Sequence, residues 1–169
     1  CRSNQLTSLD VSANTALVYL DCEYNQLTRL DVSANRALVV LYCGNNQLTR
    51  LDVSANTALE YLYCWSNQLT SLDVSANTYL WYLDCSNNQI SSISSLVINA
   101  GIGEGDAIDI RYNNLDCGDW DEVQTLLTKL GEEHTSSDWP SSWRGLRYSP
   151  QNGLDPYDCT LRVDSWEKM

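Results

Sequence analysis

A period of 21 residues runs through the first half of the chain and decides most of what it can become. Cys1, Cys22, Cys43, Cys64 and Cys85 recur at that step, and Asn4, Asn25, Asn46, Asn67 and Asn88 each follow three positions later. The apolar columns keep pace: Leu6, Leu27, Leu48, Leu69 and Ile90; Leu9, Leu30, Leu51, Leu72 and Ile93; Leu20, Leu41, Leu62 and Leu83. One such row cannot bury its own apolar side, but identical rows stacked on each other can, so the period implies a solenoid with one coil per row. At the spacing of paired strands, the four full rows and the partial ones after them predict a rod segment of about 25 to 30 Å.

Within a row, Leu20 to Leu27 alternates inward and outward over its first residues, as a short strand must. The Asn that follows sits at a bend. Its amide can donate to and accept from the backbones of adjacent coils, so Asn4, Asn25, Asn46, Asn67, Asn88 and, in the last row, Asn113 are expected to form a structural ladder. Half a coil later Leu30-Asp31-Val32-Ser33-Ala34-Asn35 repeats the same logic. Extended segments are therefore expected on both sides of the coil, giving a flat, mostly β solenoid.

The run L-x-x-L-x-C-x-x-N-x-L, at Leu17 to Leu27, Leu38 to Leu48, Leu59 to Leu69 and Leu80 to Ile90, resembles the leucine-rich-repeat family. The 21-residue form looks like its secreted or surface-attached bacterial members. The resemblance covers about residues 1–115 and implies a right-handed solenoid of short parallel strands, a binding function and an extracellular or cell-surface location. It does not imply a ligand, because that scaffold takes proteins, peptides, sugars and lipids.

After Ile90 the pattern loosens and a Gly-rich insert lengthens the coil, but Ile108 to Leu115 returns to register, with Ile110 in the cysteine column. Asp116 or Asp119 can cap a helix over about 120–130, and Val123, Leu126, Leu127 and Leu130 share a face suited to close the core. The expected division is a solenoid over 1–115 and a capping region over 116–169, whose tail reads as an irregular wrap. The stretch Asn113 to Trp120 also resembles the cysteine-bearing C-terminal flank of extracellular leucine-rich-repeat proteins. On that resemblance Cys117 and Cys159, both outside the 21-residue comb, form a disulfide; two separate buried thiols are the alternative. At the other end the chain begins in mid-coil with Cys1, which leaves two expectations: a preceding segment, or end-to-end self-association through that edge.

The formal charge of −12 argues against nucleic acid and anionic membrane surfaces as partners, and no apolar run is long enough to span a bilayer. A file of thiols with no His beside it does not surround a metal tetrahedrally, so the comb cysteines read as small apolar residues, with neither metal nor cofactor expected. The file Asp10, Asp31, Asp52 and Asp73 reads as a solvated row, with calcium as the alternative. Enzyme activity is not expected. His134 is the only histidine, and no nucleophile elbow, phosphate loop or metalloprotease motif is present.

What varies between rows is the informative part. On the second half-coil the outward residues repeat almost unchanged as Asp-x-Ser. On the strand side they change at nearly every step, to Tyr19, Asp21, Glu23, then Tyr42, then Glu60, Tyr61, Tyr63, Trp65, then Trp81, Tyr82, Asp84. Rigid rings among small polar and acidic residues are the palette of a recognition surface. The expectation is a ligand-binding face centred on Tyr63 and Trp65 that takes a protein, with basic partners favoured by the surrounding carboxylates. Carbohydrate binding and a structural, filament-forming role are the alternatives, and drift of a plain aromatic ladder is the reading to beat.

Overall fold

The computed structural model describes residues 1–115, 119–131 and 145–147. Four three-residue strands, β1 (Tyr19–Asp21), β2 (Val40–Tyr42), β3 (Tyr61–Tyr63) and β4 (Tyr82–Asp84), are followed by a short helix α1 (Ser94–Ile98) and strand β5 (Ala107–Asp109). Helix α2 (Trp120–Leu130) and strand β6 (Gly145–Arg147) complete the described elements. All six strands pair in parallel, in sequence order. Between β1 and β4 the register steps by 21 residues, with Leu20, Leu41 and Leu62 each facing its equivalent on the next coil. The Gly-rich insert is absorbed before β5, which puts Ile108 opposite Leu83 and so carries Ile110 into the cysteine column.

The core is the set of apolar columns read from the sequence. Leu27, Leu38, Leu41, Leu48, Leu59 and Leu62 are fully buried, and Cys22, Cys43, Cys64 and Cys85 pack among them. Burial pushes the Cys22 thiol up to about 12 and raises Cys43, Cys64 and Cys85 as well, so these sulfurs stay protonated and behave as small apolar groups.

The asparagine ladder repeats with the same geometry in each coil. The Asn46 side-chain amide donates to Cys22 O and Cys43 O at 3.0 and 3.1 Å, while its Oδ1 accepts from Leu27 N at 3.0 Å. Asn25, Asn67, Asn88 and Asn113 do the same, whereas Asn4, in the first partial coil, donates only within its own coil, to Cys1 O and Arg2 O. The residue before each ladder Asn has φ near +50°: Ser3, Tyr24, Asn45, Ser66, Asn87 and Tyr112. That left-handed step turns the chain out of the strand.

The second half-coil corrects one expectation, because no strand forms there. Two consecutive turns replace it, closed in the second coil by Asn35 N to Val32 O (2.9 Å) and Leu38 N to Asn35 O (3.1 Å). Asp31 Oδ1 accepts from Ser33 N at 3.0 Å and from the Ser33 hydroxyl at 2.7 Å, an arrangement that bends the backbone locally and competes with extension. A second ladder spans these turns and was missed as such in the sequence. Asn56 donates to Val32 O and Asn35 O at 2.9 and 2.8 Å, and Asn35, Asn77 and Asn99 repeat the pattern.

At the C-terminal end, α2 spans the expected residues, with Val123, Leu126 and Leu130 buried against the core. Lys129 fixes it by donating to Val97 O and Asn99 O, both at 2.7 Å, and Gly131 leaves the helix at φ +83°. The tail is not wholly an irregular wrap: residues 145–147 form β6 and extend the sheet beyond β5, so α2 lies in a β-α-β crossover. Cys117, Cys159, Asp116 and His134 lie outside the described residues.

Candidate ligand-binding face

Strand alternation places two columns on the outer face of the sheet. One holds Tyr19, Val40, Tyr61, Tyr82 and Ala107, the other Asp21, Tyr42, Tyr63, Asp84 and Asp109. Each column lies across adjacent parallel strands, so rings from different coils meet. Tyr19 packs edge-on to Tyr42 (centroids 5.4 Å), Tyr42 edge-on to Tyr63 (4.4 Å), and Tyr63 stacks on Tyr82 (4.7 Å). Tyr61 joins through Trp81 at 4.7 Å. Such edge-on and offset pairs hold rings in place, and the result is one continuous aromatic panel across four coils. Burial, then the neighbouring Tyr82 and Tyr42 phenols, raise the Tyr63 hydroxyl well above the ordinary tyrosine value, so it is protonated at every physiological pH.

Trp65 has a geometry that no pattern in the sequence announced. Its indole lies back over Gly44 on the preceding coil and its Nε1 donates to Glu23 Oε1, a further coil away, at 2.8 Å. Only a glycine permits this, since a Cβ at Gly44 would overlap the indole ring. The ring also meets Tyr24 edge-on at 5.6 Å. Glu23 is accordingly buried at 5% exposure, and Arg2 closes on its other oxygen at 2.7 Å. The signal available in the sequence was a glycine set between Glu23 and Trp65 in one column.

The carboxylates expected to surround the panel divide by role. Asp21, Asp84 and Asp109 each use Oδ1 to accept the N–H two residues on, from Glu23, Ser86 and Arg111 respectively, at 3.0 to 3.1 Å. Glu60 lies half-buried beside β3. Asp84 is pushed up to about 6, first by burial and then by the neighbouring Asp109, against the lowering pull of Ser86 and Arg111. Between these groups is a hollow of about 320 Å³ lined by Arg2, Glu23, Tyr42, Tyr63, Trp65 and Asp84.

The turn side differs. Asp10, Asp31, Asp52 and Asp73 are exposed, each tied to the serine two residues on and held below the ordinary carboxylate value first by that hydroxyl and then by its N–H. No group of His, Cys, Asp or Glu among the described residues is arranged to hold a metal ion.

Buried leucine columns, a parallel strand in each coil and an asparagine ladder decide the architecture. The fold is a leucine-rich-repeat solenoid. Residues 36–77 match the family described as leucine rich repeats, in two copies. Among solved structures, the chain is similar to a functional domain of InlJ from Listeria monocytogenes that includes a cysteine ladder. The identity is 37% over 68% of this chain and 25% of that one, with a TM-score of 0.63. It shares its fold with an internalin (inlF) of the same organism, at 24% identity over 91% of this chain and 47% of that one, TM-score 0.69. A Shigella effector leucine-rich-repeat domain is similar at 23% identity over 90% of this chain and 62% of that one, TM-score 0.63. The solenoid thus spans between a quarter and about three-fifths of the length of these chains. No curated protein matches it significantly. Among the described residues no helix is long and apolar enough to cross a membrane.

Proposed function

We propose that this solenoid is a non-enzymatic recognition module that binds a protein through its strand face, outside the cell or at its surface. The observation that carries the reading is the continuity of the panel. Tyr19, Tyr42, Tyr63, Tyr82, Tyr61 and Trp81 pack ring against ring across four coils while remaining accessible, and Trp65 stands beside them with its indole already fixed. Pre-positioned aromatic rings offer contact area at little entropic cost, which is what hot spots require. The location rests on the resemblance of the 21-residue rows to secreted or surface-attached bacterial leucine-rich-repeat proteins.

The test is site-specific photo-cross-linking. A photoreactive residue at Tyr19, on the panel's edge, should capture a protein that the same residue at Arg36, on the turn side, does not. Trp65→Ala should then weaken binding of the captured protein by at least about tenfold while the chain keeps its circular dichroism. Equal capture from both sides, or unchanged affinity in the variant, would overturn the reading. Retention on a glycan array that is lost with Trp65→Ala would replace it with carbohydrate recognition.

A further inference from the structure

We infer that the hollow bounded by Tyr63, Trp65 and Asp84 is a receptor for an arginine side chain of the partner. The inference deepens the protein-recognition reading and rests on it for the source of the arginine.

The face already receives a guanidinium twice with groups of its own. Asp21, Asp84 and Asp109 occupy one column and share one commitment, Oδ1 to the N–H two residues on. At the first, Asp21 Oδ2 faces the Arg2 guanidinium at 3.6 Å, and Arg2 lies over the Tyr24 ring at 5.1 Å from its centroid. At the last, Asp109 Oδ2 takes Arg111 at 2.7 Å, and Arg111 lies 5.7 Å from the Tyr112 ring centroid. Each pairs a carboxylate edge with an aromatic face, the two things a flat, delocalised cation can use at once.

Asp84 lies between them and lacks that third element. Its Oδ1 is engaged by Ser86, through the N–H at 3.0 Å and the hydroxyl at 2.6 Å, but no cation among the described residues reaches ion-pair distance of it. The aromatic element is already present. Tyr63 is the register partner of Asp84, and Tyr63 and Trp65 line the same hollow. Arg2 and Glu23 at the far end neutralise each other, so the charge left to complement is that of Asp84. A hollow of about 320 Å³ has room for a guanidinium and part of its alkyl stem, and the overall charge of −12 draws a cation towards it.

The experiment titrates the full chain with N-acetyl-arginine methylamide and with its citrulline and lysine counterparts, following the Trp65 indole N–H by NMR, assigned through Trp65→Phe. The arginine derivative should shift that resonance saturably, and citrulline, which keeps the shape but not the charge, should bind at least about tenfold more weakly. Asp84→Asn retains the Oδ1 acceptor for Ser86 and should weaken arginine binding by about tenfold, whereas Glu104→Gln, exposed in the insert before β5 and away from the hollow, should leave it unchanged. Equal binding of citrulline, tighter binding of lysine, no saturable shift, or indifference to Asp84→Asn each overturns the inference. A cross-linked partner whose affinity falls with Trp65→Ala but not with Asp84→Asn would leave protein recognition standing and remove the arginine receptor. Arginine binding lost with Asp84→Asn, beside a partner indifferent to Trp65→Ala, would do the reverse.

Discussion

The two sides of each coil are built from the same 21 residues, yet one repeats and the other does not. On the turn side the outward aspartates and the buried asparagines have local tasks. Asp31 bends the chain by accepting from Ser33, Asp52 does so with Ser54, and the buried Asn35, Asn56 and Asn77 hold the turn carbonyls of adjacent coils. On the strand side parallel pairing satisfies the strand backbones, and although Asp21, Asp84 and Asp109 each accept one N–H just past the strand, nothing of the kind is asked of the outward rings. Their identities are therefore free to follow a ligand. Repetition between rows marks structural duty, and variation marks where duty has been lifted.

The comparison breaks most sharply with Asn56→Ala. It removes the second donor of Val32 O and of Asn35 O, which keep Asn35 N and Leu38 N, and should cost about 2 kcal/mol in a urea denaturation series, as two buried hydrogen bonds are lost. A loss under about 1 kcal/mol would mean that the turn side is not built by its second ladder. The Oδ1 atoms of Asn35, Asn56 and Asn77 are buried with no hydrogen-bond partner among the described residues.

Smaller is the effect of Gly44→Ala on the other side. The methyl group must displace the indole and break the Trp65 to Glu23 bond, for about 1 kcal/mol and a red-shifted tryptophan emission. In a Trp65→Ala background the same substitution should cost almost nothing, because the clash has been removed. If the cost persists there, Gly44 serves the backbone and not the ring.

The smallest effect has opposite sign on the two sides. Asp10, Asp31, Asp52 and Asp73 titrate below the ordinary carboxylate value, so the stability they lend is present above that value and is lost as pH falls through their lower folded values. Asp84, pushed up to about 6, works the other way: its contribution is fully present below the ordinary carboxylate value and is lost as pH rises through about 6. Urea midpoints should therefore drop slightly between about pH 5 and about pH 7 in the native chain, and Asp84→Asn should remove that slope. A slope that survives the substitution would assign it to another group.

Much of the architecture was legible because it is carried by columns. A leucine at every twenty-first position can be buried only by stacking, and an Asn three residues after each cysteine has its partners at fixed places on the coil before it. Even Ile110 and Asn113, beyond an irregular insert, could be placed by register alone. The members of the panel were legible too, because a strand sends alternate residues to one side. What alternation cannot give is how far a side chain leans. Trp65 and Glu23 are 42 residues apart, and their bond exists only because Gly44 leaves a notch between them.

By itself, then, the sequence determined the repeat, the parallel register, the buried leucine and cysteine files, the first asparagine ladder and the outward residues, since each follows from a period and a hydrophobic pattern. The tertiary structure decided the rest. It replaced an expected second strand with paired turns, where Asp31 and Ser33 satisfy the backbone locally and Asn35, Asn56 and Asn77 tie each coil to the one before. It brought β6 to the sheet edge. On the strand face it set which carboxylates meet a guanidinium and left Asp84 facing a hollow, because such encounters depend on side-chain reach across coils, which a one-dimensional pattern does not encode.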